Sequence, residues 1–427
     1  MNKENILSKI SKMSYNERMN LVYETTDAEV LNILAEDKNW HIREGVAWNE
    51  KTPVETLAKL SDDETRYVRI EVAGNENTPA TILTKLAKDK VWNVRWVAAR
   101  NPNTTEETLV QLASDSNLAV CCAVASNPNT PSYTLAKLAN NNNGSVRVAI
   151  ASNTTSSNET LANLALDEDS DVRSAVALNP NTTSEMLALL AKDDNYEVRW
   201  AVALNPNTPT EILTILSKDK DWQVRCTVAE NENTPIELFA VLAKDEHWCV
   251  REAVAGNKST PVELLNALAK DEDSLVRQIV AGNRVTSADV LAMLTNDRSW
   301  TVRANVAINK NTPVESLVKL ATDKDYNVRA YVALNEKTPT ETLTMLAQDE
   351  DMLVRSNVAE NTHSSPKVLS GLAEDELTVT RVAVAENPNT PYNTLVMLSK
   401  DKELCVSKKA EEALKKHRDK SKISIEK

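Results

Sequence analysis

The apolar positions of the chain repeat on two scales. Within the stretch VRWAVALNPNTPTEILTILSKDKDWQ, residues 198–223, Val198, Val202 and Ala203 fall at i, i+4 and i+5, one face of a helix. Leu213 and Leu216 fall at i and i+3, one face of a second helix, and polar residues fill the space between and after them. On the larger scale the whole stretch recurs. Steps of 26 residues from Val198 land on an aliphatic residue from Ile42 to Val406, interrupted only by Thr380, with no insertion or deletion. A period of this length marks an array in which each unit buries its apolar face on its neighbours. Two helices of about eight residues are marginal alone in water, so stacking must stabilise them. The pattern predicts one elongated all-α domain of about fourteen units.

Each unit reads V-R-x-x-V-A-x-N-x-x-T-P-x-E-x-L-x-x-L-A-x-D. Its punctuation predicts a capping box on the second helix, with Thr208 as N-cap, Pro209 at N1 and Glu211 at N3. The first helix, beginning at V-R, is expected to be short and partly 3₁₀.

This consensus resembles the leucine-rich repeat variant family across about residues 42–405, and the D-x-x-x-x-V-R element, such as Asp219 to Arg225, is similar to the inter-helix turn of HEAT repeats. The resemblance implies a right-handed superhelical α-solenoid, a short α or 3₁₀ helix paired with an α-helix in each unit, used mainly for binding. Family members with an iron–sulphur cluster hold it on N-terminal cysteines. The first cysteine here is Cys121, so no cofactor is expected.

The polar residues that recur read as structure. Asparagine ends the first helix of all fourteen units, every twenty-sixth residue from Asn49 through Asn205 to Asn387. Such regularity suits a ladder that caps carbonyls, takes the left-handed conformation or bonds a neighbouring turn. Arginine follows the repeat Val in thirteen units, and Asp stands twenty residues later, as in Arg199 and Asp219. In the remaining unit Cys121 replaces Arg and Asn141 replaces Asp, so both partners are absent together. That joint absence predicts an ion-pair ladder between units, since losing one buried partner is costly and losing both can be mild. Asp37 does not fit, because Glu17 stands where its arginine should be.

Subtracting this frame leaves residues two, three and six after the Val. They are expected on the concave side of the stack and include Trp48, Trp96, Arg100, Cys122, Ser126, Leu178, Trp200, Leu204, Glu230, Glu252, Tyr331 and Leu334. Trp200 with Leu178 and Leu204 would form one apolar patch, and Trp96 with Arg100 a second. Two readings of the tryptophans stand: anchors for a partner, or edge packing between units. Gly74, Gly256 and Gly282 share the sixth position and could leave room for a close backbone. A second aromatic series two before the Val, including Trp40, Trp92, Trp222 and Trp300, is expected to seal successive layers. The unit at 120–145, with its Asn140–Asn143 run, is either a soft joint or a drifted unit.

Composition narrows the function. The 427 residues carry a net charge of −13, which disfavours nucleic acid and anionic membranes unless a local patch overrides it. Five cysteines, an odd number without C-x-x-C, fit a reducing cytosol. No apolar run is long enough to span a membrane. His41, His247, His363 and His417 occupy unrelated positions, and no catalytic, phosphate-binding or metal spacing appears. Residues 1–41 read as an N-terminal capping segment with a half unit. Residues 406–427 read as a C-terminal cap and basic tail, helical to about residue 418 and then frayed. The expected function is a non-enzymatic scaffold, favoured as a monomer, that binds a protein or extended peptide on its concave face. Nucleic-acid binding of a repair-like kind is the alternative; it would need a stripe of Arg and Lys free of paired Asp.

Overall fold

The computed structural model describes residues 3–425. Among them lie thirty-two helices and no strand. From the fourth helix to the last but one they alternate between a nine-residue helix carrying V-R, such as Tyr196–Leu204, and a seven-residue helix carrying the leucines, such as Val314–Leu320. The pattern is an α-solenoid of paired helices. The chain divides into two compact units at Leu216/Ser217. Residues 120–145 therefore lie within the first unit and do not mark the division.

The core is the periodic set of the sequence. Val198, Val202, Ala203, Leu213 and Leu216 are buried, as are their equivalents along the chain. Each such Val or Leu side chain stabilises by roughly 1.5–3 kcal/mol. At the N-terminal end Ile6, Ile10, Leu31 and Leu34 are buried. The last helix, Leu404–Ile425, buries Val406, Ala410 and Leu414 on one face at i, i+4 and i+8. It runs past residue 418, where fraying was expected.

The V-R helix is α throughout and is the longer of the two, against the 3₁₀ expectation. It starts two residues before the Val, with the aromatic position at N1. Its cap stands one residue earlier, an Asn or Asp at nine positions, such as Asp325, whose carboxylate accepts the Asn327 N–H at 2.9 Å. That recurring Asn/Asp was the unread signal for the true start.

The expected capping box is not formed. The T-P threonine lies one residue outside the leucine helix, where proline is the N-cap, as at Pro313 before Val314–Leu320. The threonine hydroxyl instead donates backward. Thr312 Oγ1 bonds the Val306 carbonyl at 2.5 Å and Thr208 Oγ1 bonds Val202 at 2.6 Å, satisfying an orphan carbonyl at the end of the V-R helix. Where a second hydroxyl follows, that one caps: Ser157 Oγ accepts the Thr160 N–H at 3.2 Å. The exchange of roles is testable. Thr312→Val is expected to cost about 1–2 kcal/mol in a urea titration, while Glu315→Ala stays within about 0.5 kcal/mol. A larger effect at Glu315 would restore the capping box.

Candidate functional site

A binding face can only be built from side chains the frame does not consume. Arg277 donates from Nε to Asp297 Oδ2 at 2.6 Å and from Nη2 to Oδ1 at 3.0 Å. Its Nη1 donates to the backbone carbonyls of Asp271 at 2.7 Å and Glu272 at 3.0 Å. Asp297 Oδ1 also accepts the Ser299 N–H at 2.8 Å. The same bidentate pairing holds from Arg43–Asp63 to Arg381–Asp401 within each unit. The Asp six residues before each Arg thus contributes as well, through its carbonyl. Arg199 bonds the Asp193 carbonyl at 2.7 Å, and Asp219 Oδ1 accepts the Asp221 N–H at 2.9 Å; these two residues belong to different compact units.

The exceptions conform to this geometry. Cys121 points its thiol at the Asp115 carbonyl at 3.3 Å, taking over the backbone contact of the missing Arg. Asn141 keeps the turn, accepting the Asn143 N–H at 2.9 Å. Asp37 is paired after all: Arg18 Nε lies 2.8 Å from its Oδ2. The partner stands one residue beyond Glu17, because the capping segment departs from the 26-residue frame by that residue.

The asparagines reach into the preceding layer. Asn205 Nδ2 donates to the carbonyls of Ala177 at 2.6 Å and Asn179 at 3.2 Å, and its Oδ1 accepts the Asn207 N–H at 2.8 Å. They are extended, Asn205 at φ −65°, so the left-handed alternative falls away; no described residue has positive φ. A Cβ at Gly74 or Gly256 would meet the Val97 or Ile279 side chain at ordinary distance, and at Gly282 the Asn305 amide oxygen at 3.0 Å. No backbone approaches these glycines closely.

The remaining positions of the V-R helices are unevenly exposed. Trp48 is 58% exposed, with Tyr23 packed edge-on at 5.6 Å. Leu178 and Leu204, sixth in their units, are each 45% exposed. Tyr331 and Leu334 are exposed, whereas Trp96 and Trp200 are half-buried. Arg100 lies over the Trp96 ring, 4.7 Å from its centroid. These two residues, with Cys122, Ala123, Ser126, Asn127 and Pro128, line a pocket of about 400 Å³. The corresponding groove in the second unit, about 570 Å³, is lined by Glu230, Glu252, Gly256 and Ile279 among others. Burial and the neighbouring Glu252 push the Glu230 carboxyl up. Burial, then Glu230, push the Cys226 thiol up to about 12, so it is a neutral thiol at physiological pH.

The second aromatic series packs between layers at some units and stays open at others. Trp92 and Trp300 remain exposed. Where these rings meet a neighbouring unit they stack: Trp40 on Tyr67 at 5.2 Å, Trp222 on His247 at 4.1 Å. Among the described residues, no group of three or more His, Cys, Asp or Glu could hold a metal ion, and no helix is long and apolar enough to cross a membrane.

Fold and face together define a helical-repeat protein, an α-solenoid whose recurring polar residues bind one another. The family model of the leucine rich repeat variant matches residues 326–351, one complete period from Tyr326. A solved structure described as a leucine-rich repeat variant with a novel repetitive protein structural motif is 29% identical, covering 52% of this chain and 87% of that one, with a TM-score of 0.42. Importin beta, crystallised in an ammonium sulfate condition, is 13% identical, covering 96% of this chain and 60% of that one, with a TM-score of 0.32. A structure of Kap95p with RanGDP is also 13% identical, covering 96% and 63%, with a TM-score of 0.37. No curated protein matches the chain.

Proposed function

We propose that this chain is a non-enzymatic scaffold that binds a protein or extended peptide along the face carried by its V-R helices. One observation carries the reading. The frame residues of these helices spend their polar groups on one another, yet large apolar side chains stay exposed at positions the frame leaves open, Trp48, Leu178, Leu204 and Tyr331 among them. Exposed apolar anchors on a rigid scaffold suit a protein interface. Within each compact unit successive V-R helices pack more closely than successive leucine helices. The closer-spaced row of a curved stack lies on its inner side, which supports the concave placement. The arginines that could form a phosphate track are held by aspartates, which leaves nucleic acid without support.

The double variant Leu178→Glu/Leu204→Glu is expected to reduce recovery of co-purifying proteins from the native cell by about tenfold or more. Ile215→Glu, a somewhat more exposed site on a leucine helix, should leave recovery unchanged. Equal recovery by the double variant removes this face as the binding surface.

A further inference from the structure

Arg100 differs from the arginines of the ladder. It is exposed, ends its helix at the sixth position after the Val, and has no carboxylate within ion-pair distance among the described residues. In a chain of net charge −13, an arginine kept free of acid is a local reversal of sign. It is also held in place, because the Trp96 ring 4.7 Å away limits where the guanidinium can go. The pocket beside it combines an aromatic wall, the small residues Ala123 and Ser126, and the half-buried Cys122. Burial pushes the Cys122 thiol up, so it adds no negative charge at neutral pH. A cationic fork stacked on an indole, in a pocket of about 400 Å³, matches a short acidic side chain next to an apolar one.

We propose that the groove between helices Trp92–Arg100 and Leu118–Ser126 is a recognition site for an acidic peptide segment, with Arg100 pairing a partner's Asp or Glu carboxylate and Trp96 packing the neighbouring apolar side chain. The proposal rests on the scaffold reading and specifies the charge of its ligand at one place. The corresponding groove in the second unit supplies the contrast. There Glu230 takes the place of Arg100 and Glu252 that of Cys122, so the same location carries the opposite sign. The sixth position thereby sets the sign of the charge at these two grooves. A single-stranded nucleic acid could also stack on Trp96, but one unpaired arginine in an acidic chain provides little of the cationic track such binding needs.

The test is fluorescence anisotropy with the full chain and three labelled peptides. Each has serines alternating with leucine and a variable residue, which is Glu, Lys or Gln. The Glu peptide is expected to bind, to weaken as salt rises, and to lose about tenfold in affinity with Arg100→Gln, while Arg100→Lys retains part of it. Both substitutions are on an exposed side chain, and unchanged thermal melts would confirm intact folding. Several outcomes overturn the inference: no binding of the Glu peptide, equal binding of the Lys or Gln peptide, indifference to Arg100→Gln, or tighter binding of a labelled oligothymidine. If Arg100→Gln is silent while Leu178→Glu/Leu204→Glu still abolishes partner recovery, the acidic-ligand inference fails and the scaffold reading survives.

Discussion

Arg277→Ala is expected to destabilise the second compact unit by about 3–5 kcal/mol, the cost of stranding one member of a buried ion pair. Both side chains are only 7% exposed, and the guanidinium serves Asp297, Asp271 and Glu272 at once. The natural exception defines the control. Arg277→Cys/Asp297→Asn reproduces the Cys121 and Asn141 arrangement and should recover more than half of the lost stability in urea titrations. If the two single changes simply add in the double variant, the residues are not coupled and the ladder is not an energetic unit.

The pair also predicts a pH signature. Burial alone would raise the Asp297 carboxyl; the hydrogen bonds from Arg277 and the Ser299 N–H, with the Arg277 charge, hold it below its ordinary 3.8. A carboxylate depressed in the folded chain contributes stability that is fully present above 3.8 and is lost as pH falls through its lower folded value. In Arg277→Ala the stranded carboxylate is best tolerated when protonated. The stability gap between wild type and variant should therefore narrow on acidification. A gap that is constant from neutral pH to below 3.8 would contradict the pairing.

The asparagine ladder should be nearly as costly to break. Asn309 Nδ2 donates to the carbonyls of Ala281 at 2.7 Å and Asn283 at 3.0 Å, and its Oδ1 accepts the Asn311 N–H at 2.9 Å. Asn309→Ala leaves the buried Ala281 carbonyl and the Asn311 N–H without this partner, while the Asn283 carbonyl keeps the Thr286 N–H at 3.2 Å, a loss of about 2–4 kcal/mol. Asn309→Asp keeps the size and the acceptor but turns a carboxylate oxygen toward two carbonyls. It is expected to be worse than alanine at neutral pH and to improve as the acid is protonated. Thermal melts of the two variants decide this. An aspartate milder than alanine at neutral pH would show that the amide donor is not what matters.

The parts of the fold that were legible in the sequence are those that repetition multiplies. The buried Val and Leu positions needed only the period. The Arg–Asp pairing was readable because Cys121 and Asn141 fail together, which singles out a partner twenty residues ahead. The role of the T-P threonine was not readable. A hydroxyl before a helix can cap forward or bond backward with the same letters, and only the position of the helix start decides. The start of the V-R helix is set by the Asn or Asp three residues before the Val, a signal that the apolar period does not carry. Arg18 was missed as the partner of Asp37 because the capping segment leaves the frame by one residue. At the candidate face, the positions could be listed from the frame. Their exposure could not, because it depends on how closely neighbouring layers approach. Trp96 and Trp200 are half-buried, while Leu204, one turn on from Trp200, and Leu178, on the preceding V-R helix, are open.

The bonds that join layers each span a set length of chain: twenty residues from Arg277 to Asp297, and 26 and 28 from Asn309 back to Asn283 and Ala281. Losing or gaining a single residue between such partners inside the repeats would shift the donors past their acceptors at that layer, unless a new partner stands in the shifted place, as Arg18 does for Asp37 in the capping segment. Removing or duplicating a complete period would not, because the next copy presents the same groups in the same places. The step in length that preserves these bonds within the repeats is therefore a whole unit. The size of the array is quantised, in keeping with fourteen copies without a one-residue slip.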